Sequence, residues 1–475
     1  MKLTLALFAC QSLALTAAGL SAQTITNMAD DQVYQRNDRG VAEIHLTGTA
    51  PAAARSVEAR LLRQFYPVEG RDWTLLAEPR SGQWEGTLTV PTGGPYRAEL
   101  RWLDAAGKTL IVEIRTNILV GDLWILAGQS NMQGVGNLVD VEPPNGQVNM
   151  FDMLDHWRLA EEPLHTLADA ADSVHWRGKP RLTGAEALDA ARRRTKGAGL
   201  GLPFGTQLVR WTGVPIGLVP CAHGGTSMEQ WSPALRHQGG ASLYGAMVRR
   251  HKVVGGRVKG VLWYQGEAEA NPKRVGVYAQ RMKELIQAIR TDFGQPDLPF
   301  YYVQIGRVIR MAEAKEWNAV QEIQRQLETE IPHAGMITGI DLALDDLIHV
   351  GTPGLKILGI RLAQLVTGRA QRGPRIASAR FDGADRRRVR VEFSDVNGKL
   401  VSRGRPTGFS LQVPAGAKDP QHFNTVIEGS TVLLLLQSEA PAGAALWYGQ
   451  GLDPYANIVD EKNMALPVTG PVPIQ

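Results

Sequence analysis

Residues 123–132, "LWILAGQSNM", decide how this chain is read. Five apolar residues, Leu123 to Ala127, run into a small polar cluster whose one strong nucleophile candidate is Ser130. A short apolar run bounded by glycine reads as a strand buried on both faces, as the strands of parallel sheets are. "GQSN" then marks the edge of the sheet, where the chain turns into a helix and where open α/β sheets bind ligands. A serine delivered to that edge stands where enzymes keep nucleophiles.

Working outward, the same grammar recurs. Apolar runs "PIGLVPCA" (215–222), "VKGVLWYQG" (258–266), "PFYYVQIG" (299–306) and "AGMITGIDL" (334–342) alternate with amphipathic stretches. Residues 275–293 set Met282, Leu285, Ile286 and Ile289 on one helical stripe, and residues 313–331 do the same with Trp317, Val320, Ile323 and Leu327. This alternation predicts a doubly wound α/β domain over residues 121–370. Residues 143–197 are polar and irregular in pattern, and are expected to form an insertion around the site.

The flanks obey a different rule. "VAEIHLTG", "SVEARLLRQF", "QWEGTLTV", "YRAELRWL" and "TLIVEIRTNIL" alternate apolar and polar residues between turn signals, which predicts an N-terminal β-sandwich over residues 23–120. "IASARF", "RRVRVEFS", "GFSLQVP", "TVLLLLQ" and "ALWYG" predict a second, C-terminal β-sandwich over residues 371–475. A chain of 475 residues has room for two or three such domains, each with its own core.

Residues 1–22 combine Lys2, an apolar run and "LSA", the pattern of a cleaved export signal with mature protein starting at Gln23. The expected location is therefore periplasmic or extracellular, without stable membrane insertion after cleavage. Of the two cysteines, Cys10 departs with the signal and Cys221 is left without an internal disulfide partner. The net charge of +4 is spread over short runs with acids nearby, so no nucleic-acid partner is expected. No histidine pair or cysteine set has metal-ligand spacing, so neither a metal nor a cofactor is expected. Nothing in the sequence sets an oligomeric state.

The residues just after each apolar run carry the chemistry. Ser130 comes after the first, "HGGTSMEQW" from His223 after the second, "QGE" from Gln265 after the third, and Asp341 with "DDLIHVGTPG" after the last. A serine hydroxyl needs a histidine to take its proton and a carboxylate to fix the ring tautomer. His349 is the candidate base, with Asp346 three residues before it able to reach the inner ring nitrogen. Thr352 and Pro353 are expected to cap and open the next helix. The oxyanion donors expected are the N–H of Ser130, the N–H of Gly225 or Gly224, and the amide of Gln265. Gln129, Asn131, Thr226, Trp231 and Glu267, beside these in sequence, are the candidate substrate-binding residues.

The blocks "GQSNM", "PCAHGGTSMEQW", "VLWYQGEAEA" and "DDLIHVGTPGLKILGIRLA" resemble, in order, those of the SGNH hydrolase superfamily. Within it they are similar to the carbohydrate acetylesterase branch that holds sialate O-acetylesterases and acetylxylan-esterase-like proteins. The resemblance implies Ser130 as nucleophile, His349 as base, Asp346 as its partner, and a glycine of "GGT" with Gln265 in the oxyanion hole. "QGE" stands where many SGNH enzymes carry asparagine, a departure typical of this branch. The β-rich flanks and "WYGQGLDPYANIVDEKNMALP" are more loosely similar to the same branch. The expected activity is removal of O-acetyl groups from an acetylated glycan or sialoside. A lipid or thioester hydrolase on the same scaffold and a non-catalytic glycan-binding protein are the alternatives.

Overall fold

The computed structural model describes residues 25–310 and 312–475, so the export signal expected over residues 1–22 lies outside the described residues. The chain divides into two compact units, the first built mainly from Ile44–Leu88 and Ala98–Arg115, the second from Ala29–Glu43, Thr89–Arg97 and Thr116–Gln475.

In the first unit the period-two patterning acts as strands require. Strand Ser56–Arg63 buries Val57, Ala59 and Leu61 and pairs antiparallel with Tyr66–Pro67 and Thr74–Ala77. Ala98, Leu100 and Trp102 are likewise buried, with Trp102 edge-on to Trp84 at 5.8 Å. On the outer side the Arg60 and Arg101 guanidinium groups lie over the Trp73 ring and pair with Glu99 and Glu58.

The second unit holds a sheet that explains the apolar runs. Along the main path its strands are, in spatial order, Trp157–Leu159, Val148–Phe151, Ile216–Pro220, Thr109–Gly128, Gly260–Tyr264, Phe300–Gln304 and Ala334–Thr338. All pair in parallel except Trp157–Leu159 at the edge. Strands such as Ile216–Pro220 and Gly260–Tyr264 are buried at every position, because helices cover both faces. Helix Tyr278–Asp292 packs down through Met282, Leu285, Ile286 and Ile289, all at most 1% exposed. Helix Ala314–Glu330 does so through Trp317, Val320 and Leu327.

One expectation is corrected. Residues 143–197 are more than an insertion: they supply Val148–Phe151, a full parallel member of the sheet, and its antiparallel neighbour Trp157–Leu159. With four residues and a central asparagine, "VNMF" is too short and too polar for its periodicity to announce a strand. Asn149 is tolerated there because its side chain donates to the Asp31 carbonyl at 2.6 Å.

Beyond residue 374 the chain forms antiparallel sheets of four, three and two strands. Val389, Val391, Leu434, Leu446 and Tyr448 share one core there. These sheets belong to the second unit, and Gln304, at the end of its strand, exchanges two 3.0 Å hydrogen bonds with Val468. Mixed α/β structure with one large sheet and additional antiparallel sheets is thus the class of the molecule.

Candidate active site

Strand Thr109–Gly128 is where the strand order reverses: the chain next fills one side with Val148–Phe151, Trp157–Leu159 and then the adjacent Ile216–Pro220, and crosses to Gly260–Tyr264 on the other. Crevices at such points are where open α/β sheets take ligands. Gly128 ends the strand with φ of 131°, and a Cβ there would lie 2.2 Å from the Tyr264 carbonyl oxygen. Only glycine lets the chain leave so close to its neighbour. Ser130 comes next but one, at the first position of the short helix Ser130–Gln133, half-buried, with Gln129 pinned behind it by a 2.8 Å bond from its N–H to Tyr264 O.

The His349 loop is fastened to this serine through the next residue. Asn131 accepts from the Val350 N–H at 3.0 Å and donates to the Ile348 carbonyl at 3.4 Å and to Glu267 Oε1 at 2.8 Å. The residues on both sides of His349 are therefore held by the side chain adjoining Ser130. His349 Nδ1 lies 2.9 and 3.0 Å from the two Asp346 oxygens, and the Ile348 and His349 N–H groups donate to the same carboxylate. Lys196 Nζ adds a 2.9 Å contact to Asp346. Burial pushes this carboxyl up, but the hydrogen bonds from His349, the Ile348 amide and Lys196 outweigh it and hold the group well below the usual carboxylate range. With Nδ1 donating to a carboxylate, Nε2 is left as the basic nitrogen.

The neighbouring carboxylates face elsewhere. Asp345 accepts the Asn137 N–H at 3.1 Å, and Asp341 binds both ends of the buried Arg361 guanidinium at 2.7 Å. Thr352 is not the cap of its helix: Gly351 is, Thr352 is the first helical residue, and its hydroxyl donates to the Asn137 carbonyl. Pro353 does fall in the first turn, as its fixed φ and missing N–H favour.

Of the expected oxyanion donors, the Ser130 N–H lies in the first helical turn, where no intrahelical acceptor exists. Gly224 packs against the serine, since a Cβ there would meet Ser130 Cβ at 3.2 Å. Its N–H already donates to Gln133 Oε1 at 2.8 Å, whereas Gly225, exposed and at φ of 70°, comes next with no side chain in the way. Gln265 is fully buried, and its amide hydrogens reach the Thr226 carbonyl and Glu269 Oε1 at 3.3 and 3.4 Å. Trp231 is fully buried as well, edge-on to Trp263, with its indole N–H on the Thr226 hydroxyl at 3.0 Å. It supports the cleft wall from behind, while Thr226 lines it. Burial pushes the Glu267 carboxyl up, against the Asn131 hydrogen bond that pulls it down.

Sequence reasoning missed Arg177, His223 and His175. Arg177 donates from Nε to His223 Nε2 at 2.8 Å and from Nη2 to the Gly224 carbonyl at 2.6 Å. His223 in turn lies 3.2 Å from His175, Nδ1 to Nδ1. Their only sequence signal was position: "HW" and "RG" sit in an aperiodic segment, and His223 heads a block already assigned to glycines. Arg177 and His223 border a cleft of about 460 Å³ that includes Gly224, Gly225, Thr226, Gln230 and Gln238, with His175 buried behind them. A ligand of monosaccharide size fits such a volume.

Among the described residues no cluster of three His, Cys, Asp or Glu could hold a metal ion, and no helix is long and apolar enough to cross a membrane. Cys221 is buried and free, and burial pushes its thiol up to about 11. A thiol so hard to ionise is inert at neutral pH.

The chain is similar to a probable carbohydrate esterase of Arabidopsis thaliana, 29% identical over 276 residues, covering 53% of this chain and 92% of that protein. It is 25% identical over 373 residues to the sialate O-acetylesterase of Homo sapiens, covering 69% of this chain and 66% of the human protein. In fold it matches the crystal structure of a carbohydrate acetylesterase from Xanthomonas citri, with a TM-score of 0.64 at 23% identity, over 94% of this chain and 99% of that one. The model of the carbohydrate esterase, sialic acid-specific acetylesterase family matches residues 120–367. That span is more than half of the chain and contains every residue of the crevice, so the chain belongs to this family and is a carboxylic ester hydrolase.

Proposed function

We propose that this protein is an exported serine esterase that removes O-acetyl groups from carbohydrate through an acyl-enzyme, with Ser130, His349 and Asp346 as its catalytic residues. The observation that carries this reading is the double tether of His349: Asp346 orients its ring through Nδ1, and Asn131, beside Ser130, holds the backbone on both sides of it.

In the reaction, Ser130 Oγ attacks the acetyl carbonyl carbon while His349 Nε2 takes the hydroxyl proton. The carbonyl oxygen becomes an oxyanion, which the N–H groups of Ser130 and Gly225 receive; Gln265 supports this hole by holding the Thr226 carbonyl. Collapse breaks the bond to the sugar oxygen, which leaves with the proton from His349. Water, deprotonated by the same histidine, then attacks the acetyl-serine and releases acetate. Gln129, Asn131 and Glu267 keep the serine and histidine loops in register, and Thr226 lines the sugar cleft.

The polar groups in the cleft wall, with Gln230 and Gln238 exposed among them, support a sugar over a long acyl chain. Ser130→Ala, with folding checked by circular dichroism, is expected to abolish acetate release from acetylated sugars and from 4-nitrophenyl acetate. A folded Ser130→Ala protein that still releases acetate overturns the mechanism. Wild-type rates on 4-nitrophenyl butyrate that equal those on the acetate favour the lipid reading instead. Export is tested by the N-terminus of protein from the native host, expected near Gln23.

A further inference from the structure

The oxyanion donor assigned to Gly225 stands on a loose piece of backbone. His223 to Thr226 make a tight turn, closed by the Thr226 hydroxyl on the His223 carbonyl at 2.7 Å, with glycine at both central positions. Gly225 has φ of 70°, the value that the third residue of a type II turn takes. Flipping the peptide plane between Gly224 and Gly225 gives a type I turn instead, and exchanges the directions of the Gly224 carbonyl and the Gly225 N–H. With no Cβ on either residue, both arrangements are sterically open.

The local contacts leave that plane with a single anchor. The Gly224 N–H, on Gln133 Oε1 at 2.8 Å, fixes the preceding peptide and not this one. The Gly225 N–H has no acceptor among the described residues, as a donor kept for an oxyanion requires. The Gly224 carbonyl does have a partner, Arg177 Nη2 at 2.6 Å. In a trans peptide the carbonyl and the N–H point in opposite directions, so a cation that fixes the first also fixes the second. It polarises the plane as well, which makes the N–H a stronger donor.

Arg177 is itself held in place. It follows the short helical turn Ser173–Trp176 with a left-handed backbone, φ of 54° and ψ of 40°, a conformation that residues with a side chain seldom adopt. Its Nε–H donates to His223 Nε2 at 2.8 Å. Arginine only donates, so the His223 proton lies on Nδ1, facing His175 Nδ1 at 3.2 Å. His175 and His223 are 2% and 4% exposed, so the guanidinium rests on buried rings. No acidic residue lines the cleft to draw it off the carbonyl.

We propose that Arg177 is a positioning residue for the esterase reaction, locking the Gly224–Gly225 peptide in the orientation that presents the Gly225 N–H to the oxyanion. This rests on the reading of Ser130 as nucleophile and Gly225 as oxyanion donor. The lock acts where negative charge develops, so it raises kcat and leaves the hold on the unreacted ester unchanged.

The experiment uses the full chain and 4-nitrophenyl acetate, a neutral ester without a sugar, so that a contact between Arg177 and the glycan plays no part. Arg177→Met is expected to lower kcat by about tenfold or more, with KM within about threefold of wild type, because both acyl transfers pass through an oxyanion and slow together. Arg177→Lys keeps a cationic donor for the carbonyl and is expected to lose only about threefold. The second readout is inhibition by 1,1,1-trifluoroacetone. Its carbonyl carbon bonds to Ser130 Oγ, the carbonyl π pair becomes an oxyanion, and the serine proton passes to His349. The inhibition constant is expected to rise in step with the fall in kcat, first for lysine and further for methionine. A folded Arg177→Met protein with wild-type kcat, a loss carried by KM, or an unmoved trifluoroacetone constant overturns the proposal and leaves the esterase mechanism standing. Should Arg177→Met not fold by circular dichroism, Arg177→Lys decides: a wild-type kcat and trifluoroacetone constant in it overturn the lock. A folded Ser130→Ala protein that still hydrolyses the ester overturns the mechanism and the proposal together.

Discussion

Two turns flank Ser130, and they differ. The turn after Ile216–Pro220 is open: His223, Gly224 and Gly225 border the cleft, and Gly225 is exposed. The turn after Gly260–Tyr264 is closed: Gln265 and Glu269 are both 0% exposed and bond inward, to Thr226 and Met228. Each leaves a strand adjacent to the one that delivers Ser130, and each carries polar residues, so position at the sheet edge alone does not make a residue a ligand contact. A glycine pair leaves room for substrate. Long side chains in the equivalent place fill it and become scaffold.

The His349 loop repeats the contrast within six residues. Asp346 engages His349 with both oxygens, Asp341 engages Arg361 with both, and Asp345 braces the backbone of Asn137. The largest effect is therefore expected at Asp346. Asp346→Asn should lower kcat by up to about 10⁴ with the fold intact, because it disfavours the working tautomer and removes the charge that stabilises the imidazolium. Asp345→Asn should cost less than about tenfold. Asp341→Asn should act on stability, by about 3 kcal/mol, since it weakens the partner of a guanidinium that is 1% exposed. Parallel kinetics and thermal melts check all three, and a kcat defect at Asp341 or Asp345 exceeding that at Asp346 breaks the assignment.

On the open wall, Gly224→Ala places a methyl group 3.2 Å from Ser130 Cβ and 3.0 Å from Gln133 Oε1. The serine must shift, and on the proposed mechanism misplacing it costs on the order of 10²-fold in kcat. On the closed wall, Gln265→Leu takes a donor from the buried Thr226 carbonyl, while Glu269 Oε1 keeps the Met228 N–H, a loss of about 2 kcal/mol that a melt would read. Its kcat is expected to fall less than that of Gly224→Ala. Should Gln265→Leu instead lose more than about 10²-fold in kcat at unchanged stability, the amide serves the oxyanion directly and the distinction between the turns fails.

The smallest effect is a pH dependence shared by groups on and off the open wall. Burial depresses His223 and His251 from 6.5 to about 4, and His165 to about 3. The unfolded chain takes up these protons below pH 6.5 while the folded chain refuses them. Stability is therefore fully present above about pH 6.5 and declines as pH falls toward 4. His251 stacks on Phe293 at 3.6 Å with neither ring nitrogen bonded. His251→Phe should lose less Tm than wild type between pH 7 and 4.5, and an equal loss removes His251 from this account.

Much of the molecule was legible because its signals are local. Burial on both faces shows as an unbroken apolar run, and that alone located the strands ending at Gly128, Pro220, Tyr264, Gln304 and Thr338. The spacing of Asp346 and His349 within one loop is a three-residue geometry, readable without the rest of the chain. Val148–Phe151 escapes because four residues cannot display a period, and the capping preference of threonine misplaces the cap at Thr352 because cap chemistry depends on which residue first turns helical.

By itself, then, the sequence determined five strands of the sheet, the strand ends that meet at its crevice, and the spacing of Asp346 and His349, since each comes from periodicity or short-range spacing. Only the tertiary structure decided which way long polar side chains face. Gln265 turning inward, Asp341 binding Arg361, and Arg177 reaching His223 and Gly224 across 46 and 47 positions are choices among partners far apart in the chain. They are set by which buried donors and acceptors must be satisfied once the elements pack, and no local pattern encodes that.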